Sequence, residues 1–123
     1  MALSTVTLSA RLGDNFAKET TTTSTKSVVS TTAVVIYMIE IDNLLNTSAP
    51  MYVKCWDAAT GSVTVGSTAP PMILFASAAS KVTYAFDQGV SFGTGLVLAC
   101  VDSAGTAGTS SPSNNVIVKL IYT

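Results

Sequence analysis

Seven carboxylates are the residues of this sequence whose type could support acid–base or metal chemistry. Glu40 and Asp42 lie closest together, and at positions i and i+2 of a strand their side chains share a face. A carboxylate pair of this kind could act in general acid–base catalysis. The interpretation we favour is a solvated strand end ahead of a turn at Asn43.

Cation and nucleotide sites have weaker signals. Asp42 with Asn43, or Asp14 with Asn15, could offer oxygen ligands, but no spaced acidic loop of the kind that holds Ca²⁺ surrounds them. The glycines at 89, 93 and 95 have the wrong spacing for a dinucleotide loop, and no helical pattern follows them. We therefore predict no metal site and no cofactor, and we interpret the glycines as bends or bulges in strands.

Histidine is absent from the sequence. This removes the commonest general base, the usual partner of a nucleophilic serine or cysteine, and the commonest transition-metal ligand. We predict that the protein is not an enzyme.

Aromatic residues offer a possible binding platform. Tyr52 and Trp56 fall on one face of a predicted strand with Lys54 between them, and exposed rings in this arrangement could stack on a glycan or dock on a protein. The alternative, which we favour, places these rings in the core. Cys55 and Cys100 also lie in predicted strands, where two small buried side chains are favoured over a disulfide.

The expected surface is polar but nearly uncharged. Charged residues make up 11% of the 123 residues, against about a quarter in average proteins, and serine and threonine are abundant. The single, scattered lysines and arginine make no basic stripe, so no nucleic-acid partner is predicted. No apolar run approaches the roughly 18 residues of a membrane span, and the start of the sequence lacks a signal-peptide pattern. Folding in a cytoplasm is the expectation.

The elements that must position these residues are β-strands. Short β-branched and aromatic runs recur along the sequence between turn residues, and no segment has helical spacing. In the 33–41 run, strict alternation places Val35, Tyr37, Ile39 and Ile41 on one face and Val34, Ile36 and Met38 on the other. At the end of the sequence, Val116, Val118, Leu120 and Tyr122 share a face.

These runs predict one all-β domain over 1–123, an antiparallel two-sheet β-sandwich, and we expect a jelly roll of about eight strands. An immunoglobulin-like sandwich is the rival, although Trp56 directly follows Cys55 and so lacks the usual Cys…Trp…Cys order. We expect 11–25 to form a polar loop or arm.

The segment GVSFGTGLVLACV at 89–101, its Gly/Ser/Thr-rich loop and the closing strand NNVIVKLIYT resemble the C-terminal part of small structural proteins of tailed bacteriophages. The matching positions are Gly89, Ser91, Phe92, Thr94, Gly95, Leu96, Val116, Val118, Ile121 and Tyr122. The resemblance covers about the last 35 residues and carries over no catalytic or ligand residue.

The resemblance implies a virion structural protein, and a capsid cement (decoration) protein is the role we expect. Its implied partners are the major capsid protein and copies of itself, as a homodimer or homotrimer, on the capsid surface after synthesis in a host cytoplasm. Segments 11–25 and 103–115 are the expected contact regions. The alternative is a tail, fibre or baseplate module that binds host glycan through Tyr52 and Trp56. A cellular β-domain of another role is a third possibility.

Overall fold

The computed structural model describes residues 2–7 and 15–123, which form nine β-strands and one turn of 3-10 helix at Thr60–Ser62. The strands are β1 (Leu3–Thr7), β2 (Asn15–Thr22), β3 (Ser27–Ser30), β4 (Val34–Asp42), β5 (Met51–Trp56), β6 (Met72–Ala76), β7 (Lys81–Phe92), β8 (Leu96–Val101) and β9 (Val116–Tyr122). They form two antiparallel sheets, a five-stranded sheet of order β1-β2-β9-β4-β7 and a four-stranded sheet of order β3-β8-β5-β6. The predicted all-β sandwich is confirmed.

Strand pairing is nested along the chain. β5 pairs with β6, β4 with β7, β3 with β8, and β2 with β9. The chain from β2 to β9 is therefore one long hairpin with its tip between β5 and β6, and successive pairs alternate between the two sheets. The pairing of β9 with β4, and of β8 with β5, joins these pairs side by side.

The main core lies between the sheets and takes one face of most strands. In β9, the predicted alternation is confirmed, and the face that Val116, Val118, Leu120 and Tyr122 share is the buried one, whereas the residues between them are half-buried. The four-stranded sheet contributes Met51, Val53, Cys55, Leu96, Leu98 and Cys100. Each buried aliphatic side chain of this size contributes roughly 1.5–3 kcal/mol, so this layer is the main support of the fold.

Both cysteines are free thiols within this core, as the favoured prediction had it. Burial raises the pKa of Cys55 and the pKa of Cys100 to about 12. The two side chains therefore act as small apolar groups at neutral pH.

Strict alternation is wrong for β4, because a β-bulge interrupts it. Val34 and Ile36 are buried, Tyr37 and Met38 are both half-buried, and burial resumes at Ile39. The register with β7 shifts between Ile36 and Met38, so one extra residue moves the later positions to the opposite face. Ile39 and Ile41 consequently share the core face with Ile36.

The loop or arm expected over 11–25 is also wrong for residues 15–22, whereas 23–25 do lie in a connection. Asn15–Thr22 forms β2, which pairs with β1 on one side and β9 on the other. Its buried residues are Ala17, Glu19 and Thr22, so the polar sequence gave little sign of a buried strand. The start of that segment, 11–14, lies outside the described residues.

The outer face of the four-stranded sheet is largely covered by two long connections. These are the β5–β6 connection, 57–71, and the β8–β9 connection, 102–115. Beneath them lies a second apolar cluster of Trp56, Val63, Val97 and Ala99. This sheet is therefore buried on both faces over much of its area.

Candidate functional site

The aromatic pair predicted from the sequence does not form an exposed platform. Trp56 is 1% exposed, and its Nε1 donates a hydrogen bond of 2.9 Å to the carbonyl oxygen of Thr68 in the covering connection. Tyr52 remains half-buried on the same face and contacts Phe75 of β6, with ring centroids 5.5 Å apart at a tilt of 53°. The exposed aromatic partner of Tyr52 is thus Phe75, which the sequence did not single out.

Lys54, between these two residues, anchors the 102–115 connection. Its side chain is fully buried, and Nζ donates to the carbonyl oxygens of Thr106 at 3.0 Å and Gly108 at 2.7 Å. Burial lowers the pKa of Lys54. Lys26 holds the other connection in the same way, through the carbonyl oxygens of Thr60 and Val63.

Glu40 and Asp42 share the outward face of β4, as predicted, and both are paired with lysines. Lys81 Nζ lies 3.9 Å from Glu40 Oε1 and 3.6 Å from Asp42 Oδ2, and Lys119 Nζ lies 3.4 Å from Glu40 Oε1. These side chains form a row of alternating charge on the outer surface of the five-stranded sheet. The lysine ammonium groups of this row neutralise the charges of the two carboxylates.

The glycines of the β7–β8 turn have a structural explanation centred on Asp57. Its carboxylate accepts backbone hydrogen bonds from Thr94 at 2.7 Å, Gly93 at 2.9 Å and Gly95 at 3.4 Å. The bonds from Thr94 and then Gly93 are the main reasons that the pKa of Asp57 is lowered. A Cβ at Gly95 would lie 2.8 Å from the carbonyl oxygen of Ser30, so only glycine fits there.

An open cleft of about 260 Å³ lies at this same end of the sandwich. Its lining residues are Ala33, Val34, Val35, Ser91, Phe92, Gly93 and Thr123. Apolar groups and hydroxyls make up this lining, and no ionisable side chain of the described residues contributes to it.

The opposite end of the sandwich carries the most exposed large apolar side chains of the described residues. Leu44 and Leu45 lie in the β4–β5 connection and are 49% and 61% exposed. The segment around them reads Asn43 to Pro50, where the sequence indicated only a turn. These two adjacent leucines form one exposed apolar feature on a single loop.

Two buried asparagines hold this loop rigidly. Asn43 Nδ2 donates to the carbonyl oxygens of Ala49 at 3.1 Å and Ser77 at 3.0 Å. Asn46 Nδ2 donates to Asn43 Oδ1 at 2.8 Å and to the carbonyl oxygen of Asn114 at 3.1 Å. Three connections, 43–50, 77–80 and 102–115, are thereby joined into one unit, which we call the asparagine-linked loop end.

The asparagine-linked loop end includes part of one predicted contact region. The 103–115 segment belongs to it through Asn114, and Ser111 Oγ lies 2.7 Å from Ser24 Oγ of the β2–β3 connection. Segment 15–22, the described strand of the other predicted region, is engaged on both sides within the sheet. A preorganised surface of this kind loses little entropy on binding.

Within residues 2–7 and 15–123 there is no group of three or more histidine, cysteine or acidic side chains placed to hold a metal ion. The described residues contain no helix that is long and apolar enough to cross a membrane. No protein-family model matches the sequence, and no curated protein matches it either.

Proposed function

We propose that the protein is a non-enzymatic virion structural protein, a capsid cement (decoration) protein that stabilises the assembled head of a tailed phage. The observation that carries this proposal is the asparagine-linked loop end, which presents Leu44 and Leu45 on a rigid support. In this proposal the two leucines enter an apolar depression at a junction between subunits of the major capsid protein.

The strand order supports a virion role. We propose that the nested hairpin from β2 to β9 is a jelly roll, because its eight strands are divided equally between two sheets and alternate between them. Jelly rolls are a common architecture of viral capsid and lectin domains. The resemblance of the last third of the chain to phage structural proteins points the same way.

The proposed mechanism is stabilisation by mass action. A protein that binds only the assembled shell lowers the free energy of that shell. Burial of one leucine contributes roughly 1.5–3 kcal/mol, so two leucines give a modest contact for each copy. Contacts repeated over the symmetric shell add up, and self-association as a homodimer or homotrimer would strengthen them further.

The first test is the location and number of copies in purified particles. Quantitative mass spectrometry of intact phage and of isolated heads and tails should find the chain in the head fraction, in proportion to the major capsid protein. A few copies, recovered with the tail, would refute the cement role.

The second test removes the leucine contact. The double variant Leu44→Ser and Leu45→Ser should fold with an unchanged melting temperature and lose most of its binding to heads that lack the protein. The matched control is Ile73→Ser with Phe75→Ser, which removes two other exposed apolar side chains, 37% and 46% exposed, from β6. Equal binding by the leucine variant and the wild type would overturn the proposed contact.

A second candidate is a glycan-binding module of a tail, fibre or baseplate. The specific observation in its favour is the exposed ring of Phe75 against Tyr52, since sugar rings stack on such aromatic faces. Binding of the protein to host-surface glycans on an array, abolished by Phe75→Ala and retained in the Leu44→Ser, Leu45→Ser variant, would favour this function over the cement role.

A further inference from the structure

The edges of the two sheets differ in how they are protected from pairing with another strand. Among the described residues, the edge strands are β1 and β7 in the five-stranded sheet and β3 and β6 in the four-stranded sheet. An edge strand presents unpaired backbone groups, and proteins usually block it with bulges, charges, short length or covering side chains.

Three of these edges carry such a block. In β6, the hydroxyl of Tyr84 donates a hydrogen bond of 2.5 Å to the carbonyl oxygen of Phe75. β7 contains Gly89 in a left-handed conformation with φ of 72°, and its pairing with β4 shifts register nearby. β3 has four residues, and its register with β8 shifts between Val28 and Ser30.

The remaining edge, β1, has none of these features. Leu3–Thr7 reads LSTVT, without charge, glycine or proline, and it pairs with β2 in one unbroken register over five residues. The side chains from Ala2 to Thr5 are all exposed, so this part of the strand adds little to the core of its own molecule. Leu3, Ser4 and Thr5 therefore extend the sheet without covering the core.

The backbone groups of β1 that face away from β2 can be identified. Thr20 N donates to the carbonyl oxygen of Ala2, so Ala2 and Thr20 form a hydrogen-bonded pair. Because such pairs alternate along an antiparallel ladder, Ser4 and Val6 also face β2. The N–H and C=O groups of Leu3, Thr5 and Thr7 therefore point away from β2, to the side on which no described strand pairs.

We propose that this edge pairs with the same edge of a second copy, antiparallel about a two-fold axis at Thr5. The register places Leu3 opposite Thr7 of the second copy and Thr5 opposite Thr5. Since each hydrogen-bonded pair exchanges two bonds, three pairs supply about six backbone hydrogen bonds. The two five-stranded sheets become one continuous sheet across the dimer.

A second copy fits this edge better than a different partner for two reasons. An uncharged strand does not repel its own copy, and a free edge of three residues about a central one is self-complementary under two-fold symmetry. Such an interface closes after two copies, so the geometry selects the homodimer over the homotrimer. The inference deepens the proposed self-association but does not depend on capsid binding.

The test uses the isolated protein, with no capsid present. Sedimentation equilibrium should find a dimer for the wild type and a monomer for Thr5→Pro, which removes the central free N–H and leaves the bonds to β2 in place. Thr5→Val keeps this N–H and should remain a dimer. A monomeric or trimeric wild type, or a Thr5→Pro variant that dimerises as strongly as the wild type, would overturn the proposal.

A cross-linking measurement keeps the proposal testable if Thr5→Pro fails to fold. Opposed residues of a hydrogen-bonded pair have Cα atoms about 5.5 Å apart, within the range that a disulfide spans. Thr5→Cys should therefore form a covalent dimer on mild oxidation, whereas Ser4→Cys, one residue away from the axis, should form little. The native thiols are buried and do not compete. Equal cross-linking of both variants, or of neither, would contradict a two-fold axis at Thr5.

Discussion

The ammonium group of Lys54 donates a hydrogen bond of 2.7 Å to the carbonyl oxygen of Gly108, from a side chain that is entirely buried. With the bond to Thr106, this contact holds the 102–115 connection against the four-stranded sheet. The connection is therefore attached to the sheet by hydrogen bonds from an ammonium group.

Replacement of Lys54 by methionine should loosen this connection. The apolar stem is kept, but the carbonyl oxygens of Thr106 and Gly108 lose their donor, which costs about 1–3 kcal/mol of unfolding free energy. Urea unfolding measures the loss, and hydrogen exchange should be faster over 103–109. Lys18→Met, on the half-buried outer face of β2, is the control and should change stability by less than about 0.5 kcal/mol. Unchanged exchange over 103–109 would show that Lys54 does not anchor the connection.

The two core thiols predict a loss of stability at alkaline pH. Their pKa is about 12 in the folded protein against 9.0 for a free thiol, so the unfolded state releases these protons first. Unfolding free energy is therefore fully retained below pH 9.0 and falls as pH rises toward 12, by up to about 1.4 kcal/mol per pH unit for each thiol.

The double variant Cys55→Ala, Cys100→Ala should be less stable at neutral pH, because it leaves cavities, but should show a shallower alkaline decline. Urea unfolding at a series of pH values measures both slopes. Identical slopes for the variant and the wild type would mean that the thiols do not control this pH dependence.

Asp57 predicts the opposite dependence at acid pH. The bonds from Thr94 and Gly93 lower its pKa below 3.8, so the unfolded state binds the proton first as pH falls. The stability that Asp57 contributes is present above pH 3.8 and is lost as pH falls through its folded pKa. Asp57→Ala should lower the melting temperature at neutral pH and flatten its decline in acid.

Asp87→Ala is the control for Asp57, since it removes an exposed carboxylate from β7. Its melting curve should follow the wild type at neutral pH. If the two alanine variants had the same melting temperature at pH 7, the turn would not depend on the Asp57 carboxylate.

Gly89 should not tolerate a side chain. Its φ of 72° is unfavourable for any other residue, and an added Cβ would collide with Val35 Cγ1 and lie 3.1 Å from Tyr37 Cε1. Gly89→Ala should lower the unfolding free energy by about 1–3 kcal/mol, which urea unfolding measures. Gly61→Ala is the matched control, because no atom lies within 4 Å of its added Cβ. Equal stability of the two variants would contradict the strain assigned to Gly89.

The sequence predicted best where a strand alternates without interruption and one face meets the core. Val116 to Tyr122 satisfies both conditions, and the residues that share each of its faces were predicted correctly. β4 satisfies them only on either side of its bulge, so the assignment of Ile39 and Ile41 to the face of Val35 and Tyr37 was wrong. A bulge is a property of the paired strands, and one strand's sequence does not reveal it.

β2 was missed because two of its three buried residues are polar, and one of these is a carboxylate. Glu19 is fully buried, and its oxygens accept hydrogen bonds from Ala2 N at 2.6 Å, Thr21 N at 3.1 Å and Ser27 Oγ at 3.1 Å. These donors come from three parts of the chain. The residues adjacent to Glu19 in the sequence are polar and do not reveal the contacts that allow Glu19 to be buried. Trp56 does lie on the same face of β5 as Tyr52, as predicted. Which loop covers that face could not be predicted, because it depends on tertiary contacts such as those of Lys26 and Lys54.

The asparagine-linked loop end had a partial signal in the sequence. Leu44 and Leu45 stand between Asn43 and Asn46, and two leucines inside a predicted turn are unusual for a solvent-exposed loop. What could not be predicted is that both asparagine side chains turn inward to bind Ala49, Ser77 and Asn114.

The nested pairing of β2 to β9 also sets an order of events for folding. Among these nested pairs, the β5–β6 pair closes the shortest segment of chain, and each outer pair encloses every pair within it. The entropy lost on closing a loop grows with its length, so each inner pair, once formed, shortens the effective loop of the next. We therefore expect assembly to proceed outward from β5 and β6, with β2 and β9, the most distant partners, meeting last. Slow folding, typical of non-local sheets, follows directly from this topology.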